Sequence, residues 1–381
     1  MSPDSDLSKQ RVAYEDEAVI LALTRIFSNK YKRDVRITSF LREDIRNTHR
    51  CVVSRLYLRV APVPDEGDSC EETAVIVKQF NPNWLGVDAE GSIVAHEALG
   101  NILSGKWIAP ELYGTVRDVE KRRYWLFMED LGKNLLTGRE DFAKEEMKHC
   151  LGFVEKLAEI HLLFALSRRR ALLFADKEEE LQQVLRPLVR TPRSRAGWRD
   201  RYESAIEKTP DNIDKMVQTG KFPWLNEMAT DFTAIMEPCR PIIDLLVSVP
   251  FVFSHWDMAP EENMVIGREG FEPIYYFIDW DEVYFGPALD NLGGLIWYER
   301  GKTEELALVE RYWECVRGSP FVPEDLGECL MMYKYYRLMG AIYSVHFHAE
   351  RSIEKHLPVS AGAIRRAIPV AIKLAKELQM I

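Results

Sequence analysis

One stretch, residues 251–290, constrains the fold more than any other part of the chain. It contains three apolar runs of strand length, and turn-forming residues join the last two runs, which predicts a β-hairpin. The runs are residues 251–253, 264–266 and 274–278, and the turn is 267–272.

Polar side chains lie at both ends of this predicted hairpin. Asp257 and Asn263 are in the loop before it and Asp279 follows it, so we expect the three to lie close together. Phosphoryl transfer from a nucleotide needs such a set. One Asp orients and deprotonates the attacking hydroxyl, while an Asn and a second Asp hold Mg²⁺ against the phosphates.

The pattern comprises His255, Asp257, Asn263, Ile278-Asp279-Trp280 and the Gly-Pro-Ala-Leu-Asp of 286–290. It resembles the aminoglycoside phosphotransferase and choline kinase family of small-molecule kinases. The resemblance implies an α+β, protein-kinase-like fold of two lobes. The N-terminal lobe would be an antiparallel sheet with one main helix, and the larger C-terminal lobe would be mostly helical. The resemblance places the nucleotide-binding lobe at 1–130 and the catalytic, substrate-binding lobe at 131–381, with a helical insertion at 167–235.

The spacing of the loop departs from the family in one place. The family has four residues between the catalytic Asp and the Asn, as protein kinases do, whereas this chain has five, residues 258–262. Glu262 occupies the strict spacing, but Asn263 precedes the apolar pair that normally follows the Asn. We therefore expect Asn263 to take the metal position through a one-residue bulge, with Asp281 as a secondary candidate near the metal.

Composition bears on whether the chain is a membrane, secreted, zinc-binding or nucleic-acid-binding protein. With 381 residues, of which 46% are hydrophobic and 29% charged, the chain has the composition of a soluble globular protein. The sequence has no apolar run long enough to span a membrane. Its N-terminus is polar and lacks the apolar segment of a signal peptide, so we expect a cytoplasmic location. Six cysteines are scattered without the spacing of a zinc site. A net charge of −10 disfavours nucleic-acid binding and mildly favours cationic ligands.

The N-terminal part predicts a helix over 15–27, from the spacing of its apolar residues, and then an antiparallel sheet. Lys78 lies towards the end of the β-branched strand 74–80, where kinases have the lysine that contacts the α- and β-phosphates. The resemblance gives Lys78 an ion-pair partner, Glu97, on an amphipathic helix at 93–103. Without the resemblance, Lys78 is an edge or surface charge and Glu97 a surface helix charge.

The segment expected to cover the phosphates, 41–48, contains no glycine. Asn47 and Thr48 match a short variant of this segment in the family. Because fewer backbone N–H groups can approach the phosphates without glycine, we expect side chains to substitute for them, or nucleotide binding to be loose.

The apolar strand within 124–132 corresponds to the family's hinge. The resemblance presents backbone groups of Glu129 and Leu131 to the adenine edge and places Met128 at the back of the pocket. The alternative is a plain core strand that leads to a glycine turn.

In the C-terminal part, His161 matches the family's Leu-x-x-Leu-His on a strongly periodic helix. We expect it to be structural and hydrogen-bonded to the backbone of the catalytic loop. Residues 286–292 begin a helix whose Asp290 is also structural. The insertion at 167–235 predicts two helices with turns at Pro192 and Pro210, and its basic cluster is either a solvated face or an anion site. Three aromatic residues of the insertion either line a substrate pocket or pack: Trp198, Tyr202 and Trp224.

The resemblance implies direct transfer of the γ-phosphate of ATP or GTP to a hydroxyl of a small molecule. Asp257 would be the base, His255 would support the loop, Asn263 and Asp279 would bind Mg²⁺, and Lys78 would neutralise phosphate charge. Aminoglycosides, amino alcohols and related antibiotics are acceptors in this family, and the sequence does not choose among them.

Two other functions fit parts of the pattern. A pseudokinase that binds nucleotide without transfer is favoured by the glycine-free segment and the five-residue spacing, and disfavoured by the intact acidic pair. A metal-dependent hydrolase would use His255, Asp257, Asp279 and Asp281 as ligands of paired metals. Such a hydrolase would not need Lys78.

Overall fold

The structure is a computed structural model of the chain. It describes residues 16–48, 50–63, 70–81, 89, 92–93, 96–97, 108–132, 146–165, 195–255, 264–269, 272–280, 283–296, 302–355 and 358–381. The chain divides into two compact units. Unit 1 comprises Met1–Lys144, Phe174–Arg190 and Pro260–Glu282, and unit 2 comprises Glu145–Leu173, Thr191–Ala259 and Val283–Ile381.

Unit 1 contains an antiparallel sheet that follows the first helix. The elements are α1 (Asp16–Tyr31), β1 (Val35–Asn47), β2 (Cys51–Pro62), β3 (Glu71–Phe80), β4 (Leu112–Asp118) and β5 (Arg123–Glu129). The five strands are arranged in the order β1-β2-β3-β5-β4, so β3 is central. The antiparallel sheet predicted from the sequence is confirmed.

Helix α1 covers one face of this sheet. Val19, Leu23 and Phe27, spaced four residues apart, form one buried stripe against the sheet. Burying each such side chain contributes about 1.5–3 kcal/mol, which is why the apolar spacing predicts this helix. Gly114 of β4 allows the close approach, because a Cβ there would lie 2.8 Å from Cγ1 of Ile26.

A β-hairpin of unit 1 is formed by β7 (Met264–Glu269) and β8 (Glu272–Phe277). Its register pairs Met264 with Phe277 and Glu269 with Glu272. The Phe277 amide donates to the carbonyl oxygen of Ile108 at 2.8 Å, which ties the hairpin to another segment of unit 1. The predicted hairpin is confirmed, with strands longer than their apolar centres.

Unit 2 is mostly helical. Its long helices are packed together: α10 lies against α3 and α11, and α9 lies against α2. The described elements are α2 (Glu146–Ala165), α3 (Arg195–Gln218), α4 (Pro223–Asn226), α5 (Ala229–Ala234), α6 (Met236–Cys239), α7 (Ile242–Ser248), β6 (Phe251–His255), β9 (Val283–Pro287), α8 (Ala288–Leu295), α9 (Lys302–Val316), α10 (Leu326–Lys355) and α11 (Pro358–Glu377).

Strand β6 pairs antiparallel with β9, which the sequence did not predict. The register joins Phe251 to Pro287 and His255 to Val283. Residues 286 and 287, assigned to the start of a helix, therefore end a strand instead. Helix α8 begins at Ala288, directly after Pro287, whose extended backbone (φ −65°, ψ 132°) ends the strand.

The predicted turn at Pro210 is wrong, because α3 runs through it from Arg195 to Gln218. A proline inside a helix removes one backbone hydrogen bond and costs about 3 kcal/mol. That cost is offset because the helix buries one face on both sides of the proline, with Trp198 and Tyr202 before it and Ile213 after it, each 0% exposed. Breaking the helix at Pro210 would interrupt this face.

None of the helices that the structure describes is both long enough and apolar enough to cross a lipid bilayer.

Candidate active site

Lys78 lies near the end of the central strand of unit 1. It is paired with Val53 of β2 and Leu126 of β5. Because successive side chains of a strand alternate between faces, Lys78 lies on the face opposite Val77 and therefore opposite α1. Its side chain is 7% exposed. An edge or surface charge, the alternative left by the sequence, does not describe this position.

The buried ammonium of Lys78 contacts the carboxylate of Asp279, 201 positions later in the chain. A buried cation needs a counter-ion, and this carboxylate supplies it. The Asp279 side chain is 36% exposed, so solvent or a ligand reaches it. The nitrogen also lies 5.1 Å from the ring centre of Phe80, whose face is electron-rich.

Asp279 has an unusual backbone conformation. Its φ is +65°, in the left-handed region that Asp and Asn tolerate better than most residues. Its neighbours are fixed, because Trp280 Nε1 donates to the carbonyl oxygen of Phe277 at 2.7 Å. Conformations of this kind cost about 1–3 kcal/mol and concentrate at functional sites. The carboxylate is an oxygen ligand of the type that Mg²⁺ prefers, so the residue fits the metal role expected of it.

Glu97 has a different partner from the one expected. It is exposed, and Oγ1 of Thr115 on β4 donates a hydrogen bond to its carboxylate. Since Lys78 contacts Asp279, the pair of Lys78 with Glu97 stays a prediction.

The connection between β1 and β2 is closed by the hydroxyl of Thr48 in place of glycine. Thr48 Oγ1 accepts hydrogen bonds from the amides of Arg50 and Cys51, each at 3.2 Å. It also donates to the Cys51 carbonyl oxygen at 3.1 Å. Asn47, the last residue of β1, is paired with Val52. The Thr48 hydroxyl is thus engaged by the turn itself, and the phosphate contacts of Asn47 and Thr48 stay predictions.

The proposed hinge lies at the end of β5. The Glu129 amide donates to the carbonyl oxygen of Glu111 at 2.8 Å, and the Glu111 amide donates to Oε2 of Glu129 at 3.0 Å. Met128 and Leu131 on either side are half-buried. The Glu129 N–H is therefore used within the fold, and the contacts of Glu129, Leu131 and Met128 with a purine stay predictions.

An ion pair that no sequence pattern indicates fixes the residue after Glu129. Arg55 of β2 donates to both carboxylate oxygens of Asp130, from Nε at 2.7 Å and from Nη2 at 3.2 Å. Asp130 Oδ1 also accepts from the amide of Gly132, whose φ of +83° suits glycine. Nothing local in the sequence pairs residues 75 positions apart, so only the sheet register brings them together.

Unit 2 contains a buried network behind His255. The carbonyl oxygen of His255 accepts from Asn291 Nδ2 at 2.7 Å. Asn291 Oδ1 lies 3.1 Å from His161 Nε2, and His161 Nδ1 lies 2.6 Å from the Tyr312 hydroxyl. Because the Asn291 amide nitrogen donates to a carbonyl, its oxygen accepts from His161 Nε2–H, and Nδ1 then accepts from Tyr312.

His161 is therefore a neutral structural residue. Burial lowers its pKa from 6.5 to about 3, against the opposing effect of the hydrogen bond with Asn291. The expected direct bond from His161 to the loop backbone is wrong in one detail, because Asn291 lies between them. The missed residue follows the Gly-Pro-Ala-Leu-Asp motif directly, and its position in the motif was the available signal.

Asp290 lies in a second polar cluster of unit 2. Burial raises its pKa from 3.8 to about 6, although Arg201 and the hydroxyls of Tyr202 and Tyr284 act in the opposite direction.

Trp198 and Tyr202 are fully buried, so they pack and do not line an open pocket.

Several predicted residues lie outside the described part of the chain. They are Asp257, Glu262, Asn263, Asp281 and Pro192. Among the residues that the structure does describe, no group of three or more His, Cys, Asp or Glu side chains could hold a metal ion.

Comparison with solved structures reveals the fold. The chain superposes on an ethanolamine kinase from Plasmodium vivax with a TM-score of 0.51 and 12% identity, covering 99% of this chain and 94% of that one. A choline kinase from Cryptosporidium parvum gives a TM-score of 0.50 and 11% identity, covering 96% of each chain. The chain has the protein-kinase-like fold of these small-molecule kinases.

Sequence comparison adds nothing to this fold assignment, since no family profile and no curated protein matches the chain.

Proposed function

We propose that the chain is a small-molecule kinase that moves the γ-phosphate of ATP, or of GTP, to a hydroxyl of an aminoglycoside, an amino alcohol or a related antibiotic. The observation that carries the proposal is the contact of Lys78 with Asp279. A buried lysine on a strand contacts a partly exposed carboxylate that is distant in sequence. The residue that carries this carboxylate, Asp279, has a positive φ. The similarity to an ethanolamine kinase and a choline kinase, a similarity of fold, supports the same class.

The residues would divide the reaction among them. Lys78 would neutralise charge on the phosphates, and Asp257 would orient the acceptor hydroxyl and take its proton. Asp279 and Asn263 would hold Mg²⁺, which supplies neutralisation of the charge that develops on the transferred phosphoryl group. His255, whose carbonyl oxygen is held by Asn291, would fix the start of the catalytic loop. Glu129 and Leu131 would contact the base through their backbones, with Met128 behind it.

The net charge of −10 favours an acceptor that carries an amine, since a negative protein attracts cations. This is a weak preference, and it suits aminoglycosides and amino alcohols alike.

The test is consumption of ATP and of GTP by the purified protein with Mg²⁺, measured against a panel of hydroxylated amines and antibiotics. Asp257→Ala provides the blank. Acceptor-dependent consumption that is absent from Asp257→Ala supports the proposal. Full activity in that variant would contradict the assigned base.

A pseudokinase is the second candidate, and one observation favours it. The Thr48 hydroxyl closes the β1–β2 turn, so this turn lacks the glycine backbone that cradles phosphates in many kinases. Nucleotide binding without consumption on any acceptor would support this candidate.

A further inference from the structure

Strand β1 contains a β-bulge just before the turn to β2. The register pairs Asp44 with Ser54 and then Arg46 with Val53, so two steps along β1 match one step along β2. Ile45 is the extra residue of the bulge and is 51% exposed. Because side chains alternate between the two faces of a sheet, one extra residue exchanges the faces of the side chains that follow it.

The bulge places Arg46 on the face that carries Lys78. Residues directly opposite each other on neighbouring strands lie on the same face. Arg46 is opposite Val53 of β2, and Val53 is opposite Lys78 of β3, so the three side chains form one row. Two strand spacings of about 4.8 Å separate the ends of this row, which puts the α-carbons of Arg46 and Lys78 about 10 Å apart. Arg46 is exposed, so its guanidinium and the ammonium of Lys78 can contact one anion from two sides.

Asn47 lies on the other face. It is opposite Val52, which alternates with Val53 along β2 and is 2% exposed. This is the face that α1 covers. Without the bulge the two positions would be exchanged, so that Asn47 shared the face of Lys78 and Arg46 did not. The register thus favours Arg46 over Asn47 as the polar side chain that β1 directs towards the lysine.

The turn that follows holds this end of β1 in place. The Thr48 amide donates to the carbonyl oxygen of Cys51 at 3.0 Å, and the amide of Asn81, beyond β3, donates to the carbonyl oxygen of Arg50 at 2.8 Å. These bonds tie the turn to β2 and to the end of β3, so the backbone of Arg46 is fixed relative to both strands. A fixed strand therefore presents a guanidinium, whose planar fork of N–H donors matches a phosphate group.

We infer that Arg46 is a phosphate-binding residue, which contacts the phosphate chain of the nucleotide from β1, across Val53 from Lys78. The inference rests on the proposed function, because it requires a phosphate chain to bind beside Lys78. It deepens that function by naming the side chain of the glycine-free strand that holds the chain, in place of Asn47.

The experiment measures the Kd of ATP and of sodium tripolyphosphate for the full chain by calorimetry, with and without Mg²⁺. Tripolyphosphate has no purine and no ribose, so it reports the phosphate contacts alone. Arg46→Gln should raise both Kd values about tenfold, the scale of one hydrogen bond to a charged group. The Kd of adenosine, which has no phosphate, should change less than threefold. Unchanged Kd values for ATP and tripolyphosphate would overturn the inference.

Two variants are matched controls. Arg36→Gln removes the same charge from another exposed residue of β1, roughly 30 Å along the strand from Arg46. Asn47→Ala alters the neighbour on the other face. In each, the Kd of ATP should change less than threefold. A loss in either variant as large as in Arg46→Gln would overturn the inference, because the effect would then follow net charge or the turn and not the row.

The unaltered chain separates the two levels of the proposal. If it binds ATP and Arg46→Gln binds ATP equally well, this inference alone is overturned. If the unaltered chain binds neither ATP nor tripolyphosphate, the proposed function is overturned together with it.

Discussion

Two buried polar side chains, one in each unit, differ in their charge and in how completely the protein satisfies them. Lys78 in unit 1 is charged, and its counter-ion Asp279 is 36% exposed and strained. His161 in unit 2 is neutral and 0% exposed, and both of its ring nitrogens have partners. The first arrangement is costly for folding and suits a ligand, whereas the second is complete without one. We therefore expect Lys78 to take part in chemistry and His161 to serve the structure.

The largest expected effect comes from Lys78→Met and Asp279→Asn. Each should lower kcat by about 10²-fold or more, the scale of losing one electrostatic contact to the transition state. Stability should change little in Lys78→Met, because Met fills a similar volume and the Asp279 carboxylate is 36% exposed to solvent. Asp279→Asn should lower stability as well as kcat, because it removes the counter-ion of a buried ammonium. Turnover and thermal unfolding of the same preparations check this. A variant with normal turnover and a much lower Tm would reverse the assignment.

Tyr312→Phe should have the opposite character. It leaves Nδ1 of buried His161 without its donor, so the free energy of unfolding should fall by about 1–3 kcal/mol while kcat falls less than tenfold. Tyr333→Phe is the control, because its hydroxyl bonds Glu305 at 2.9 Å and that carboxylate is partly exposed, so solvent can replace the lost bond. Denaturant unfolding compares the two variants. Equal losses would show that the His161 network has no special role.

The pH dependence of stability sharpens the same contrast. Since the folded pKa of His161 is about 3, below its unfolded value of 6.5, only the unfolded chain gains the proton in this window. Stability is therefore lost as the pH falls from 6.5 towards 3. His161→Phe should remove about 2–3 kcal/mol of this loss by about pH 4.5, measured as the change in the free energy of unfolding from pH 7.

Asp290 should act with the opposite sign. Its folded pKa of about 6 lies above its unfolded value of 3.8, so the folded chain binds the proton first and stability is gained as the pH falls through 6. Asp290→Asn should thus make the acid loss steeper, where His161→Phe makes it shallower. The slope of the free energy of unfolding against pH should therefore change in opposite directions in the two variants, relative to the unaltered chain. A change in the same direction in both would contradict these pKa shifts.

The smallest effect is expected at Thr48, a structural hydroxyl within unit 1. Thr48→Ala removes three hydrogen bonds of the β1–β2 turn and should cost about 1 kcal/mol of stability, while Thr48→Ser keeps them. If the hydroxyl serves only the turn, Kd for ATP changes less than threefold in both variants. A tenfold weaker Kd in Thr48→Ala at unchanged stability would instead make Thr48 a phosphate contact.

The parts of the fold that depend on local pattern were predictable from the sequence. The four-residue spacing of Val19, Leu23 and Phe27 predicts α1, and apolar runs around a turn predict the β7–β8 hairpin. Strand β9 was missed, because 283–287 ends in Gly-Pro and its partner is β6, about thirty residues earlier. The helix through Pro210 was missed because burial on both sides of the proline overrides its local preference.

The sequence names candidate site residues but not most of their contacts. Lys78 and Asp279 were chosen by motif, and the structure brings them together. The partner of Glu97, the Asn291 bridge and the Arg55 pair with Asp130 depend on tertiary register, which no local pattern encodes. Asp257 and Asn263 stay predictions, since they lie outside the described residues.

The most direct test follows the γ-phosphate itself. The unaltered chain and Asp279→Asn are incubated in parallel with Mg²⁺, ATP labelled at the γ-phosphate and a panel of amino alcohols and aminoglycosides, and the labelled products are separated. We expect label on an acceptor with the unaltered chain and about 10²-fold less with Asp279→Asn. Label released only as inorganic phosphate, or left on ATP with every acceptor, would contradict this expectation.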